Sequence, residues 1–253
     1  MKRLKRISRS VDSLQTSEGP IHFQLTRSSA RKTMTICVDE QARVRVASPA
    51  FVLEEEIHNF IRRKARWIQD KMNQAKARKD ILSQKKYDHG EEFLFLGKKY
   101  RMDVEEKRLK TPRLAFDGSK WVVGIPSHLP KDERQTKIKE KVIQWYRRQA
   151  EEILGSRLFH YARLIGVEPK KIAVRTQKRL WGNCDYRTRT IHLNWQIVLA
   201  PLEVMDYVVV HELCHLIVPN HSKRFWQRVE KTMPDFKKHK QWLKDHAVDM
   251  VVV

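Results

Sequence analysis

Three histidines and a glutamate near the end of the chain have the residue types and spacing of a hydrolytic metal site. Two of the histidines and the glutamate lie in the run His211-Glu212-Leu213-Cys214-His215. On a helix, residues four apart lie one above the other, so His211 and His215 can bind the same divalent metal. Glu212 falls on the neighbouring face, where its carboxylate can accept a proton from a metal-bound water. The pattern predicts zinc-assisted hydrolysis, with Glu212 as the general base.

His221 is the candidate third ligand. Pro219 breaks the helix and Asn220 tolerates a left-handed turn, so the chain can fold back towards the other two histidines. The resulting spacing, His-Glu-x-x-His-x5-His, is that of the metzincins, although those have a glycine where this chain has Val218. Three protein ligands with an open fourth position are typical of catalytic zinc, whereas structural zinc usually has four. We interpret Cys214 as a buried thiol, because it lies off the line of the histidines.

The helix that carries this run is predicted to be buried. Residues 207–210 and 216–218 are apolar, and Pro201 stands where a first-turn proline is tolerated. We therefore expect a helix from about Pro201 to about Val218. Two histidines and a glutamate inside such a helix would be costly to bury without a partner, which favours a metal site over ordinary core histidines.

The 253-residue chain is strongly basic, with 52 Lys and Arg against 30 Asp and Glu and a formal net charge of +22. Such a surplus favours nucleic acid, an anionic membrane face or acidic proteins as partners. The alternative is a set of solvated helix faces with no partner. The predicted helix at about 50–79 is strongly basic, and we consider it as a nucleic-acid-binding surface.

The three cysteines indicate a reducing compartment, because Cys37, Cys184 and Cys214 are far apart in the sequence and odd in number. The basic residues 1–6 are followed by a polar segment rather than an apolar run, which is not the pattern of a signal peptide. No stretch reaches transmembrane length. We predict a cytoplasmic protein without a transmembrane segment.

Hydrophobic periodicity predicts a mixed α+β fold. Residues 1–126 form a β-rich region, with a three-stranded meander at 21–46, the basic helix at about 50–79, and hairpins at 92–104 and 113–125. Pro126 marks a predicted boundary, and residues 127–253 form a zincin-like domain. That domain begins with a long helix at 131–166. Two strands, 172–175 and 190–195, then flank a loop at 178–185, and after the metal helix further helices begin near Ser222 and at 236–246.

Several segments resemble the YgjP-type metallopeptidase family, which is zincin-like and related to the SprT-like proteases. They are residues 48–49 with Trp67, 90–97, 180–184, 191–194, 206–215 and 220–226. The resemblance implies a zinc peptidase with His211, His215 and His221 as ligands and Glu212 as the catalytic residue. The chain departs from the usual Trp-Gly-Ser-Cys-Ser by having Asn183 and Asp185, which places the family's substrate specificity in question.

Trp181, Asn183 and Asn194 are candidate residues of a substrate cleft beside the metal helix. The more ordinary interpretation is that Trp181 belongs to the core and that Asn194 fixes a loop.

We predict a zinc-dependent metallopeptidase that acts on a protein or peptide substrate. Two alternatives come from other functional classes: a basic nucleic-acid-binding module whose metal is structural, and an inactive peptidase that serves as a scaffold. Glu212 argues against both, because a structural metal has no use for a carboxylate beside it.

Overall fold

The computed structural model describes residues 7–177 and 180–252. The chain divides into two compact units, 1–84 and 85–253. The described residues contain three small sheets and six α-helices, which confirms the mixed α+β class. Residues 1–6, and Lys178 and Arg179 of the predicted loop, lie outside the described residues.

The N-terminal unit contains a four-stranded sheet. Its strands are β1 (Ile7–Thr16), β2 (Gly19–Ser28), β3 (Thr35–Val38) and β4 (Val44–Pro49), in the order β1-β2-β4-β3. The predicted meander is wrong, because β4 lies between β2 and β3 and pairs with β2 in parallel. Val44 and Val46 are nearly fully buried, as central strand residues should be. The sequence pattern missed β1 because Leu14 is its only buried residue.

Two helices cover this sheet where the sequence predicted one. Helix α1 (Glu54–Arg63) and helix α2 (Ala65–Gln84) are separated at Lys64, which has φ −110° and ψ 6°. Three glutamates in the first turn of α1 favour its start at residue 54, because acidic groups stabilise a helix N-terminus. Ile57, Ile61 and Ile68 are fully buried with the apolar side chains of the sheet.

The second unit opens with another four-stranded sheet, which confirms both predicted hairpins. It consists of β5 (Glu92–Phe95), β6 (Lys98–Lys107), β7 (Arg113–Phe116) and β8 (Trp121–Pro126), in the order β5-β6-β8-β7.

The long helix α3 (Lys131–Ile165) follows and packs against this sheet. The ring centroids of Phe95 and Trp145 are 4.8 Å apart, and those of Trp121 and Tyr146 are 5.0 Å apart. Through these contacts the sheet of residues 85–126 belongs to the same compact unit as the residues that follow it. The compact units therefore divide at 84–85 rather than at the predicted 126–127, since aromatic contacts between a sheet and a later helix leave no periodic signal in the sequence.

The third sheet precedes, in the sequence, the helix that contains His211 and His215. It has the order β10-β11-β9, with β9 (Lys171–Arg175), β10 (Gly182–Asp185) and β11 (Thr190–Asn194). The predicted loop at 178–185 is wrong for its last four residues, because β10 pairs with β11 as an edge strand. Its Gly-Asn-Cys-Asp sequence has a turn-like composition, so backbone pairing overrides local preference here.

Three further helices complete the chain: α4 (Leu202–His215), α5 (Lys223–Thr232) and α6 (Phe236–His246). A 3₁₀ helix at Trp195–Leu199 precedes α4. None of the helices formed by 7–177 and 180–252 has both the length and the apolar character that a membrane span requires.

The β5–β6 turn fixes the start of α4. The backbone N–H groups of Leu96 and Gly97 donate to the carbonyls of Val198 (2.8 Å) and Leu199 (3.0 Å) in the 3₁₀ helix. Gly97 has φ +77°, and a Cβ atom there would lie 2.7 Å from Cγ of Pro201, the N-cap residue of α4. Only glycine fits this position, because it needs both the left-handed backbone and the close approach.

An ion pair with a buried carboxylate joins α3 to α4. The guanidinium of Arg157 donates Nε to Asp206 Oδ1 (2.6 Å) and Nη2 to Oδ2 (2.5 Å), and the Tyr161 hydroxyl also donates to Oδ2 (3.1 Å). The Asp206 side chain is 6% exposed. The bidentate contact with Asp206 raises the pKa of Arg157.

We expect Arg157→Met to lower the free energy of unfolding by about 3 kcal/mol, because it leaves the Asp206 carboxylate buried without its charge partner. Urea unfolding would measure the change. Arg148→Met is the matched control, since Arg148 lies on the same helix and pairs with Glu152 at an exposed position. Equal losses in both variants would contradict a special role for the buried pair.

Candidate metal centre

Helix α4 carries His211 and His215 on one face of a largely buried segment. Val204, Met205 and residues 208–210 are at most 4% exposed, so most of the helix surface packs into the core. The two histidines are four residues apart and lie on the same face, as the sequence predicts. Helix α4 ends at His215, three residues earlier than predicted, because the chain already turns at 216–218.

The turn after α4 returns His221 to the other two histidines. The backbone N–H groups of Ile217 and Val218 donate to the Cys214 carbonyl (3.1 and 3.0 Å), and Ser222 N–H donates to Asn220 Oδ1 (3.2 Å). Nε2 of His221 then lies 3.0 Å from Nε2 of His211 and 3.2 Å from Nε2 of His215.

The three Nε2 atoms form one compact group, because those of His211 and His215 are 3.3 Å apart. This arrangement has no good solution with hydrogen bonds alone, since each neutral imidazole offers either a lone pair or an N–H at that atom. A cation bound by all three lone pairs resolves the conflict. The three histidines are therefore a group that could hold a metal ion, and their roles as ligands stay a prediction.

Hydrogen bonding and packing orient the rings. His215 Nδ1 lies 3.1 Å from the Val218 carbonyl oxygen. A carbonyl can only accept, so Nδ1 carries the proton and Nε2 presents its lone pair, as in a typical metal-binding histidine. Phe225 is fully buried beneath the group, with its ring 4.3 Å from that of His215 and 4.9 Å from those of His211 and His221.

Burial favours the neutral forms of His211 and His215. It lowers the pKa of His211 to about 3, with smaller contributions from the charges of His215, His221 and Lys240. Burial also lowers the pKa of His215. Neutral imidazole is the form that binds metals, so the electrostatics fit the ligand prediction.

Glu212 is 5% exposed and lies against strand β10. A Cβ atom on Gly182 would lie 2.7 Å from both Cγ and Oε1 of Glu212, so Gly182 admits the carboxylate only because it lacks a side chain. Burial raises the pKa of Glu212 to about 8. The charge of a nearby divalent cation acts in the opposite direction and favours the carboxylate.

Cys214 is fully buried, as predicted, and burial raises the pKa of its thiol to about 11. The pKa of Cys184 on β10 is raised to about 12, first by burial and then by the negative charges of Glu212 and Asp185. Neither thiol has the low pKa of a reactive nucleophile.

The candidate cleft residues have different environments. Asn194 is 3% exposed and uses its amide to hold the local chain, donating to the carbonyls of Gln177 (2.9 Å) and Leu180 (3.3 Å). Trp181 is half-buried and packs against the core, and Asn183 accepts from Arg175 (3.2 Å). The environment of Asn194 is that of a loop-fixing residue. The substrate contacts of Trp181 and Asn183 stay predictions.

A second group of ligand-type atoms lies in the N-terminal unit. Asp12, Glu54 and His58 have potential ligand atoms within 4.8 Å of one another. Asp12 and Glu54 are partly exposed, and His58 Nε2 lies 3.4 Å from Asp12 Oδ2, which is the geometry of an ordinary ion pair. The histidine group in the second unit is the stronger metal candidate because its three ligands are alike and convergent.

The sequence interpretation missed the residues that hold this centre. Gly182 and Phe225 were within the segments that carried the family resemblance, but their contacts with Glu212 and the histidines were not predicted. For Gly182 the sequence offers one signal, which is that a glycine stands between the candidate cleft residues Trp181 and Asn183. For the Val218 carbonyl there was no signal, since any residue could supply it.

Comparison with known proteins supports a metallopeptidase. Residues 32–246 match the family model described as YgjP-like, metallopeptidase domain. The chain belongs to the YgjP-like family. A metallopeptidase family implies a divalent metal, and in this YgjP-like chain the histidine group has the right donors for one.

One similar solved structure is the crystal structure of the metallopeptidase zymogen of Pyrococcus abyssi abylysin. It is 26% identical to the YgjP-like chain, with a TM-score of 0.34, and the match covers 36% of this chain and 93% of that one. Among curated protein sequences, none matches.

Proposed function

We propose that this YgjP-like chain is a zinc-dependent peptidase with a zincin-like site, in which His211, His215 and His221 bind the metal and Glu212 is the general base. The family supports a metallopeptidase in general. The observation that carries the finer proposal is the convergence of three Nε2 atoms within 3.0 to 3.3 Å.

These distances suit zinc. Tetrahedral coordination with Zn–N bonds of about 2.0–2.1 Å places two ligand nitrogens about 3.3 Å apart. The residues also fit in type, because three neutral imidazoles leave a fourth position for water or substrate. A zinc ion held here would supply a Lewis acid that lowers the pKa of water and polarises a peptide carbonyl.

The protein's own residues supply the rest of the proposed chemistry. The Glu212 carboxylate accepts the proton of the attacking water, and Gly182 holds β10 close enough to keep that carboxylate out of bulk solvent. The Val218 carbonyl fixes the His215 ring, and Phe225 supports all three imidazoles. Glu212, Val218 and Phe225 are buried and Gly182 is half-buried, so these supporting groups need little rearrangement before reaction.

The proposal is tested by measuring metal content and cleavage of a randomised peptide pool. We expect about one zinc per chain, loss of cleavage with 1,10-phenanthroline, and recovery when zinc is restored. Protein purified without chelator but devoid of zinc would contradict the metal assignment. Cleavage that is insensitive to the chelator would contradict the enzyme.

We also propose nucleic acid as a partner of the basic surface on α1 and α2. Between residues 62 and 79 there are eight basic residues and one acidic residue, Asp70. All of the basic residues except Arg78 are exposed. Arg62 and Lys71 hydrogen-bond to the neutral amides of Asn59 and Gln74, which leaves their charges uncompensated at those contacts. Exposed cations at this density favour contact with a phosphate backbone.

Binding to a fluorescein-labelled DNA duplex should fall steeply between about 50 and about 200 mM salt, because affinity arises from counterion release. Replacing Lys76 and Lys79 with Gln should lower the slope of log affinity against log salt by about 2 if both contact phosphates. Lys141→Gln with Lys244→Gln removes the same charge from the second unit and serves as the control. Absence of binding at low salt, or equal effects of both double variants, would contradict the assignment.

A further inference from the structure

Lys240 places a positive charge beside the candidate metal centre. Its Nζ lies 4.1 Å from the centroid of the Trp226 indole. The same indole stacks on His221, with centroids 5.6 Å apart and planes 26° apart, and lies 5.8 Å from the His211 ring. A helix α6 lysine is thus held by a cation–π contact next to two candidate ligands.

The Lys240 side chain is exposed on α6. Among residues 7–177 and 180–252, no carboxylate lies within ion-pair distance of Lys240. The indole that it contacts also contacts the rings of His211 and His221, so the lysine lies one side chain away from the candidate ligands. A divalent cation bound by the histidines would add a second positive charge nearby. Such a pair of neighbouring cations attracts an anionic ligand.

We infer that Lys240 binds a carboxylate of the peptide substrate close to the scissile bond and so gives the enzyme a preference for acidic substrates. The carboxylate belongs to an acidic side chain or to the C-terminus of a short peptide, since both present the same group. This inference rests on the proposed function, because it places the substrate at the metal.

The ordinary alternative is a lysine whose aliphatic part covers Trp226 and whose charge stays in water. Lys237 provides the matched comparison. It lies on the same helix, its Nζ is 5.8 Å from the centroid of Phe236, and it lies 3.8 Å from Glu230. Replacing either lysine with Gln changes the net charge equally, but of the two it is Lys240 that contacts the indole stacked on His221.

Calorimetric titration of the zinc-loaded protein with dipeptide hydroxamates tests the inference without requiring turnover. Hydroxamates bind zinc directly, so a neutral probe reports the metal centre. One pair of probes differs by Glu against Gln, and a second pair by a free C-terminal carboxylate against an amide. We expect the unaltered protein to bind at least one acidic probe about fivefold more tightly than its neutral partner, the scale of a partly exposed ion pair.

Substitutions of the two lysines show whether Lys240 causes the preference for acidic probes. Lys240→Gln should abolish the preference, Lys240→Arg should retain it, and Lys240→Glu should reverse it, whereas Lys237→Gln should leave it unchanged. The pair of probes that shows the preference identifies the source of the carboxylate. An equal affinity for acidic and neutral probes, or a preference that survives in Lys240→Gln, overturns the inference alone. Failure of every probe to bind overturns the proposed metal centre and the inference with it.

Discussion

Glu212→Gln should lower kcat/KM for any cleaved peptide by about a hundredfold to ten-thousandfold, the usual contribution of a general base. The substitution keeps the size of the side chain and removes its basic oxygen. On the proposed mechanism Glu212 does not bind the metal, so zinc content and melting temperature should stay nearly unchanged. Glutamine also fits the contact with Gly182, because it has the same Cγ and Cδ geometry as glutamate.

Glu203→Gln is the matched control for this experiment. Glu203 lies in the first turn of the same helix but is exposed, so its substitution should leave the rate unchanged. Equal rates for the unaltered protein and Glu212→Gln would remove Glu212 from the mechanism and indicate a contaminating protease. A large loss of zinc in Glu212→Gln would instead identify Glu212 as a ligand. The structural-metal alternative predicts no peptide cleavage and the same nucleic-acid binding in both proteins.

The geometry of the histidine group was the most predictable part of the molecule. A helix fixes His211 and His215 on one face through its period alone, and Pro219 required the chain to turn before His221. Local rules therefore determine most of this geometry. The sequence could not show that His215 Nδ1 donates to the Val218 carbonyl, because that bond depends on the exact path of the turn.

The sheets were less predictable, because strand order depends on contacts between distant residues. Alternation of apolar residues located β2, β3 and β4, but it could not reveal that β4 lies between the other two. Strand β10 was interpreted as a loop because its residues favour turns, although pairing with β11 makes it a strand. The contact of Gly182 with Glu212 follows from that pairing, so missing the strand also meant missing the contact.

The link between Lys240 and His221 could not be predicted from residue spacing in the sequence. Nineteen positions separate the two residues, and no short motif connects them. They are connected in the structure through Trp226 on α5, whose indole contacts both the lysine and the imidazole. Residues that determine specificity are therefore harder to find from sequence than metal ligands, whose spacing is constrained by a single helix.

His221→Ala should lower zinc affinity far more than the roughly 10- to 100-fold typical of losing a group that only orients a ligand. The substitution removes one of three convergent Nε2 atoms and leaves the other two on α4. Because His221 is exposed and follows the helix, the core should remain folded. Zinc competition with a fluorescent chelator would measure affinity, and circular dichroism would check folding. His160→Ala, at an exposed position on α3, is the control and should keep its zinc.

A His221→Ala protein that retains one tightly bound zinc would place the third ligand elsewhere. The next candidates in the sequence are Glu230, Asp235 and His239. In the structure His239 Nε2 lies 3.1 Å from Asp235 Oδ2, and Glu230 lies 3.8 Å from Lys237, so each already has a partner. Recruiting any of them would require that partner to be released, whereas His221 needs no such change, since its Nε2 already lies within 3.2 Å of both other histidines. Retained zinc would therefore mean that α5 or α6 rearranges when the metal binds, and a comparison of hydrogen exchange in α5 and α6 with and without zinc would detect it.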